Sequence, residues 1–382
     1  MEPGPLTAAS SPAKRTFLEK LGLHRRELRA WALYDLANSA FVTVIITAIF
    51  PIYYGKVASA GIPPQTAEYR FSMTTTVAMI VIAILAPLLG ALADFSPIKK
   101  RMIGIFLSLG VVSVALMFFI ERGNWMLALV LFFISNFAAN GSFVFYDALL
   151  PHLASDEEMD RVSTAGYALG YIGGGLLLAL NLAWITKPEA FGFPHGPNLT
   201  PAQESFPVRA AFLSVAVWWA LFSIPLFRQV KEPPVRLEPN ESRGQAPLKV
   251  AFTRLGETFR ELKTFRNAFL MLIAFLIYND GIGTIIRMAA LYGSGIGIPD
   301  SAMISAILIT QFVGVPFAFL FGSLAAKIGS KQSIFLGLVV YTLISVVGYF
   351  MKTSVHFLVL AILVGMVQGG TQALSRSLFA SL

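Results

Sequence analysis

Ten apolar runs, each close to 20 residues long, punctuate this 382-residue chain at 31–54, 72–94, 102–120, 125–149, 162–184, 208–227, 268–292, 302–325, 333–351 and 356–375. A helix of about 20 residues crosses roughly 30 Å of hydrocarbon. Lipid offers no partner to an unpaired backbone group, so each run predicts a transmembrane α-helix. Only 13% of the residues are charged and the mean hydropathy is +0.69, which excludes an ordinary soluble domain. The expected fold class is an all-α polytopic membrane protein.

The 29 Lys and Arg residues are not spread evenly. With the N-terminus inside, 22 fall in the inner segments, 6 in the outer ones, and Arg287 lies within a span. That asymmetry obeys the positive-inside rule, placing the N-terminus and the central loop in the cytoplasm. It also accounts for the net charge of +8 without a nucleic-acid partner. No cleavable signal peptide is visible, so the first span serves as the insertion signal. The chain has no cysteine and four scattered histidines, a pattern that predicts neither disulfide nor metal. There is no nucleophile elbow, zinc pattern or phosphate loop, so neither an enzyme nor a cofactor is expected.

The turn Gly90-Ala-Leu-Ala-Asp94, followed by Lys99-Lys100-Arg101, returns as Gly322-Ser-Leu-Ala-Ala326-Lys327. Duplicated turns between apolar runs are the trace of paired transporter halves. The implied organisation is a tail over 1–30, a six-helix bundle over 31–227, a linker over 228–266 and a second bundle over 267–382 with four helices. On that plan two more helices are expected after the tenth, so the sequence is read either as incomplete, the favoured expectation, or as a natural short form. Phe17, Leu18, Leu21 and Leu28 among basic residues predict an amphipathic helix on the inner leaflet. Phe252, Leu255, Phe259 and Leu262 predict a second one in the linker, although either could instead hold a partner protein.

Charges within a span are costly and usually face a cavity. Asp35 shares a helical face with Asn38 and Ser39, next to Tyr34, and is either a proton or cation site or a carboxylate near the inner headgroups, paired with Arg29 or with a neighbouring helix. Tyr278, Asn279 and Asp280 form the corresponding cluster in span seven, with Arg287 two turns on and Gly281 and Gly283 offering a bend. A carboxylate and a guanidinium at different depths would suit a zwitterion. Asn136, Asn140 and Gln311 are candidates for the pocket or for hydrogen bonds between helices. Asp147 is read as a gate or loop anchor. Gly166, Gly170, Gly173 and Gly174 in span five predict a groove for close helix approach, and Gly170 and Gly174 are candidates for a moving interface.

The duplicated turn resembles the signature loop of the major facilitator superfamily, with Phe95 and Ala326 departing from its pattern. The glycines of span five are similar to that superfamily's antiporter motif, with Tyr171 at its proline position. More specifically, Trp31-Ala-Leu-Tyr-Asp-Leu-Ala-Asn-Ser-Ala-Phe41, Tyr146-Asp-Ala-Leu-Leu-Pro-His152, Arg161-Val-Ser163 and Gln368-Gly-Gly-Thr-Gln-Ala-Leu-Ser-Arg-Ser377 resemble the vacuole-effluxer-like branch. The resemblance implies twelve helices in two bundles, a central cavity and alternating access, and for fungal members the release of amino acids. It implies gating roles for Gly90, Asp94, Lys99, Lys100, Arg101, Gly322, Lys327 and Arg376, with the Asp94 turn bracing against an eleventh helix. The expected protein is a monomeric secondary transporter of the bacterial inner membrane. It would move a small polar solute, such as an amino acid or peptide, with protons through Asp35 or Asp280. The competing expectation is a non-transporting membrane sensor or scaffold.

Overall fold

In a computed structural model, residues 16–234, 247–261 and 266–381 are described. Ten helices among them are long and apolar enough to cross a membrane. The first six are α1 (Arg26–Ala58), α2 (Pro64–Phe95), α3 (Lys99–Phe119), α4 (Trp125–Asp147), α5 (Asp156–Thr186) and α6 (Phe206–Gln229). After a linker helix, Pro247–Glu261, come α7 (Arg266–Gly295), α8 (Asp300–Ile328), α9 (Ser330–Tyr349) and α10 (Ser354–Ala380). The protein is an integral, multi-pass membrane protein. Several helices outrun the apolar runs, because polar turns project past the hydrocarbon. Thus α5 starts at Asp156, where Ser155 and Glu158 form a reciprocal capping box that satisfies amide groups otherwise unpaired.

Two expectations about local structure need correction. The tail does not form one amphipathic helix: Phe17–Lys20 is a single turn, and Gly22 at φ 71° breaks the path before α1 begins. Leu28 belongs to α1 and is fully buried, while residues 1–15 lie outside the described part. Nor is α7 broken near Gly281 and Gly283; it runs unbroken from Arg266 to Gly295. The irregular helix is α1, which widens into π-helix over Val42–Ala48 and again over Tyr54–Ala58. Pro51 lacks the amide that would bond the Thr47 carbonyl, and its ring crowds that turn. Preceding it is a nearly unbroken β-branched run, Val42-Thr-Val-Ile-Ile-Thr47, whose crowded side chains weaken a regular α-turn. The Thr47 hydroxyl helps by donating to the Val42 carbonyl at 2.9 Å. The linker helix expected over 252–262 is present as Pro247–Glu261 and packs against α2, with Phe252 exposed.

The first six helices share one large core whose interior is aromatic. Trp31 stacks on Tyr146 with centroids 4.6 Å apart, Phe41 on Trp219 at 5.1 Å, and Phe50 on Phe132 at 5.2 Å. Phe321, Ile334, Tyr341 and Leu374 make a smaller core among α8, α9 and α10. Large apolar side chains such as Ile84, Ile277 and Phe335 are about 70% exposed, which suits contact with acyl chains.

The halves meet where α5 passes between α1 on one side and α8 and α10 on the other. The glycine groove of span five is real, and its partner is α1. A methyl at Gly170 would stand 2.5 Å from the Ser39 hydroxyl, and one at Gly173 would enter the Leu36 carbonyl. Across the second face, the Tyr171 ring fills the space left by Gly314 of α8 and Gly369 of α10. Small residues let backbones approach in lipid, where no hydrophobic force drives helices together.

Candidate functional site

Between the halves lies a cavity of about 830 Å³ lined by α1, α2, α4 and α5 and by α7, α8, α9 and α10. It runs from Asp147 and Arg376, near the end where Arg26 and Lys99 lie, to Glu68, Tyr349 and Met351 toward the opposite end. The first of these is called the basic end below.

Arg376 of α10 forms the floor. Its two terminal nitrogens reach Asp35 Oδ2 at 3.1 and 3.2 Å, and one of them also reaches Asp147 Oδ1 at 3.4 Å. The remaining donors go to Ser163, with Nε to the hydroxyl at 2.9 Å and a terminal nitrogen to the carbonyl at 3.0 Å. The guanidinium also lies over the rings of Tyr167 and Trp31, 4.6 and 4.7 Å from their centroids. A planar fork with five donors suits this mixed set of carboxylates, oxygens and aromatic faces. The Asp35 and Arg376 side chains are only 11% and 10% exposed, while Asp147 is 47% exposed. A side chain of the second half is thus anchored in a socket built by α1, α4 and α5 of the first. Nearby, Asp160 of α5 accepts from Ser330 at 2.9 Å and from Ser377, and the Ser163 hydroxyl donates to the Ala373 carbonyl at 2.9 Å. At the opposite end, Lys56 and Asp300 join the halves at 2.6 Å.

The cavity gathers five of the expected solute residues besides Asp35: Asn38, Asn136, Asn140, Asn279 and Gln311. Asn140 donates to both the carbonyl and the side-chain oxygen of Asn136 at 2.8 Å, and Thr43 donates to Gln311 at 3.3 Å. Tyr34 is not in the lining. It is fully buried and donates to Ser142 at 3.0 Å. Tyr278 meets Ser375 at 2.6 Å within the second half, and Asp280 points to an exposed face outside the lining. The side chain of Arg287 lies outside those described.

The duplicated turns are placed differently from one another. Lys99 is buried and donates to the Ala93 carbonyl at 2.8 Å and to Asp94 at 3.1 Å, closing the turn on itself. The Glu232 carboxylate receives the Lys99 and Lys100 amides at 2.7 and 2.9 Å, capping α3, and Lys100 Nζ reaches the Phe227 carbonyl at 2.9 Å. Gly90 has open space around it, and Arg101 and Lys327 are exposed. Gly322, in the second copy, lies against Thr164 of α5 and so contributes to the junction between halves.

Sequence reasoning left out Ser163, Tyr167, Tyr171, Gln368 and Gln372 as site residues. One signal could have found the last two: Gln368, Gln372 and Arg376 are spaced four apart, which puts all three on one face of α10.

Two paired halves around a cavity that mixes amides with a larger apolar surface, with an ion-paired floor that ties them together, define a secondary transporter of the major facilitator class. The fold resembles the proton:xylose symporter XylE, with a TM-score of 0.61 at 13% identity, covering 93% of this chain and 85% of that one. It also resembles a bacterial homologue of the iron transporter ferroportin in an outward-facing state, with a TM-score of 0.53 at 15% identity over 94% of this chain and 85% of that one. Residues 65–382 match the family model described as vacuole effluxer Atg22 like, and the chain belongs to that family. It is 36% identical over 359 residues to the uncharacterized MFS-type transporter YxiO of Bacillus subtilis, covering 94% of this chain and 81% of that protein. Autophagy-related protein 22 of Pyricularia oryzae is 22% identical over 469 residues, covering 94% of this chain and 67% of that one.

Proposed function

We propose that this transporter carries a small polar solute by alternating access, and that protons drive it through the cluster of Asp35, Arg376 and Asp147. One observation carries the reading: a single guanidinium faces two carboxylates at the closed floor of the cavity, and it belongs to the opposite half. Opening toward the basic end requires Arg376 to leave its socket. A proton on either carboxylate removes part of the attraction that holds it there, so proton binding favours opening. The partly exposed Asp147 is the carboxylate that cavity water reaches first. Asp280, on an exposed face of α7, has no part in this path.

The concentration of Lys and Arg at the basic end supports a cytoplasmic N-terminus in a bacterial inner membrane. The cavity is enclosed within one chain, which supports a monomer as the working unit. The family's description as effluxers supports export, with amino acids or peptides among the solutes to be tested.

Flux in proteoliposomes tests the coupling. Asp147→Asn and Asp35→Asn should each abolish uptake or efflux driven by a pH gradient while leaving downhill exchange of the same solute. Full pH-driven flux in both variants would sink the proton assignment.

A further inference from the structure

Near its N-terminus, α5 faces the second half with a stripe of polar side chains. Asp160, Ser163 and Thr164 fall at positions i, i+3 and i+4, on one side of the helix. Ala373, Arg376 and Ser377 repeat that spacing in α10, and the two stripes lie against each other. The Ser163 hydroxyl donates to the Ala373 carbonyl and receives Arg376 Nε, both at 2.9 Å. Thr164 turns its hydroxyl back to the Asp160 carbonyl at 2.8 Å, and a methyl at Gly322 of α8 would stand 2.9 Å from it.

Asp160 heads the stripe. One of its carboxylate oxygens receives the Ser377 hydroxyl of α10, and the other receives the Ser330 hydroxyl at 2.9 Å. Ser330 is the first residue of α9, whose N-cap is Gly329, at φ 88° and with no side chain to offer. The amides of a first helical turn carry partial positive charge, so a carboxylate held beside them is favourable. One side chain of the first half thus grips the start of α9 and the end of α10 together. Hydroxyl bonds to a carboxylate are strengthened by its charge, and Ser377 and Ser163 are only 1% and 0% exposed.

Arg376 reaches its socket through a long stem with several rotatable bonds, so its grip fixes the guanidinium more than the helix that carries it. Asp160 and Ser377 have short side chains, and a bond between them fixes the two backbones. We infer that Asp160 is a positioning residue of the gate at the basic end: it holds α9 and α10 where Arg376 can enter its socket, and so sets how strongly closure is favoured. This rests on the reading that the halves part at that end during transport. A proton on Asp35 or Asp147 weakens the hold on Arg376 but not the bonds from Ser330 and Ser377, so opening has to break these as well.

Because the chain has no cysteine, nitroxide labels can be placed in pairs on exposed sites of the two halves. Arg101→Cys with Lys331→Cys spans the basic end, and Lys187→Cys with Lys352→Cys spans the opposite end. Distance distributions from the full chain in lipid nanodiscs then give the ratio of open to closed at each end. Asp160→Asn should raise that ratio at the basic end roughly three- to tenfold, the factor equivalent to about one net hydrogen bond, and lower it at the opposite end. Ser377→Ala and Ser330→Ala, which remove the donors instead, should shift both ends in the same directions and add little to Asp160→Asn; they carry the test should that variant fold poorly. A residue that only braces the fold would lower the melting temperature and move both ends alike, or neither. Arg376→Ala is the reference. Opposite shifts at the two ends in Arg376→Ala, with none in the Asp160 and serine variants, would overturn the inference alone. Shifts that are absent or alike at both ends in Arg376→Ala as well would remove the rocking reading and the inference with it.

Discussion

Arg376 and Asp35 stand 341 positions apart in the chain and meet at 3.1 Å, deep between the two halves. Neither side chain is more than 11% exposed, so each is the other's main solvent. A buried pair of this kind need not add much stability compared with an apolar pair of the same size, but losing one member is expensive. Its value here is conditional: the attraction exists only while the halves are closed at the basic end.

Replacing Arg376 with Ala leaves two carboxylates facing each other in the emptied socket. Thermal unfolding should report a loss of roughly 3–5 kcal/mol if Asp35 stays ionised. Arg376→Ala combined with Asp35→Asn should recover part of it, with a coupling of roughly 0.5–3 kcal/mol between the two sites. Strict additivity of the two changes would show that the pair does not interact in the membrane-embedded protein.

Lys56 and Asp300 make the contrasting contact, 2.6 Å apart but with side chains 57% and 30% exposed. Lys56→Gln should change stability by no more than about 1 kcal/mol, and raising the salt concentration should erase the difference. Accessibility of a cysteine placed at the Glu68 rim should nevertheless increase, because this contact closes part of that end.

Gly173→Ala puts a methyl into the Leu36 carbonyl, a backbone group with no freedom to swing away. The expected cost is about 1–3 kcal/mol, read as a lower melting temperature in detergent. Gly281 is the control: it lies inside α7 with nothing within 4 Å of a built Cβ. There the same change should be neutral or stabilise by about 0.5–1 kcal/mol. Equal losses at both glycines would contradict the packing of α5 on α1.

Glu232→Gln weakens the carboxylate that caps two amides at the start of α3. A charged acceptor at a helix N-terminus contributes on the order of 1 kcal/mol, so a loss of that size is expected in thermal unfolding. Hydrogen exchange at the Lys99 and Lys100 amides should speed up in the variant.

The number and order of the spans were legible because each is an uninterrupted apolar run, and lipid permits no alternative to a helix there. The glycine groove was legible too, since spacing alone places Gly166, Gly170 and Gly174 on one face. The partner of Asp35 was not. Local spacing offered Arg29, whereas the structure supplies a residue from the tenth helix, and no sequence period encodes contacts between halves. The π-helical turns of α1 escaped for a different reason. Pro51 and the β-branched run before it were visible, but hydrophobicity, the property being scanned, does not change across them. In α7 the opposite happened: Gly281 and Gly283 suggested a bend or an unwound turn, yet a glycine only permits distortion, and the helix is continuous through both.

Tyr171, Gly314 and Gly369 behave as a plug and its two-part mould, carried by three different helices. A bulkier residue in either part of the mould has to be matched by a smaller plug, so mutations at these three positions are tied to one another. For anyone wishing to enlarge the passage, trimming the ring at 171 is the first cut to make, because it creates room without disturbing any of the amides that line the wall.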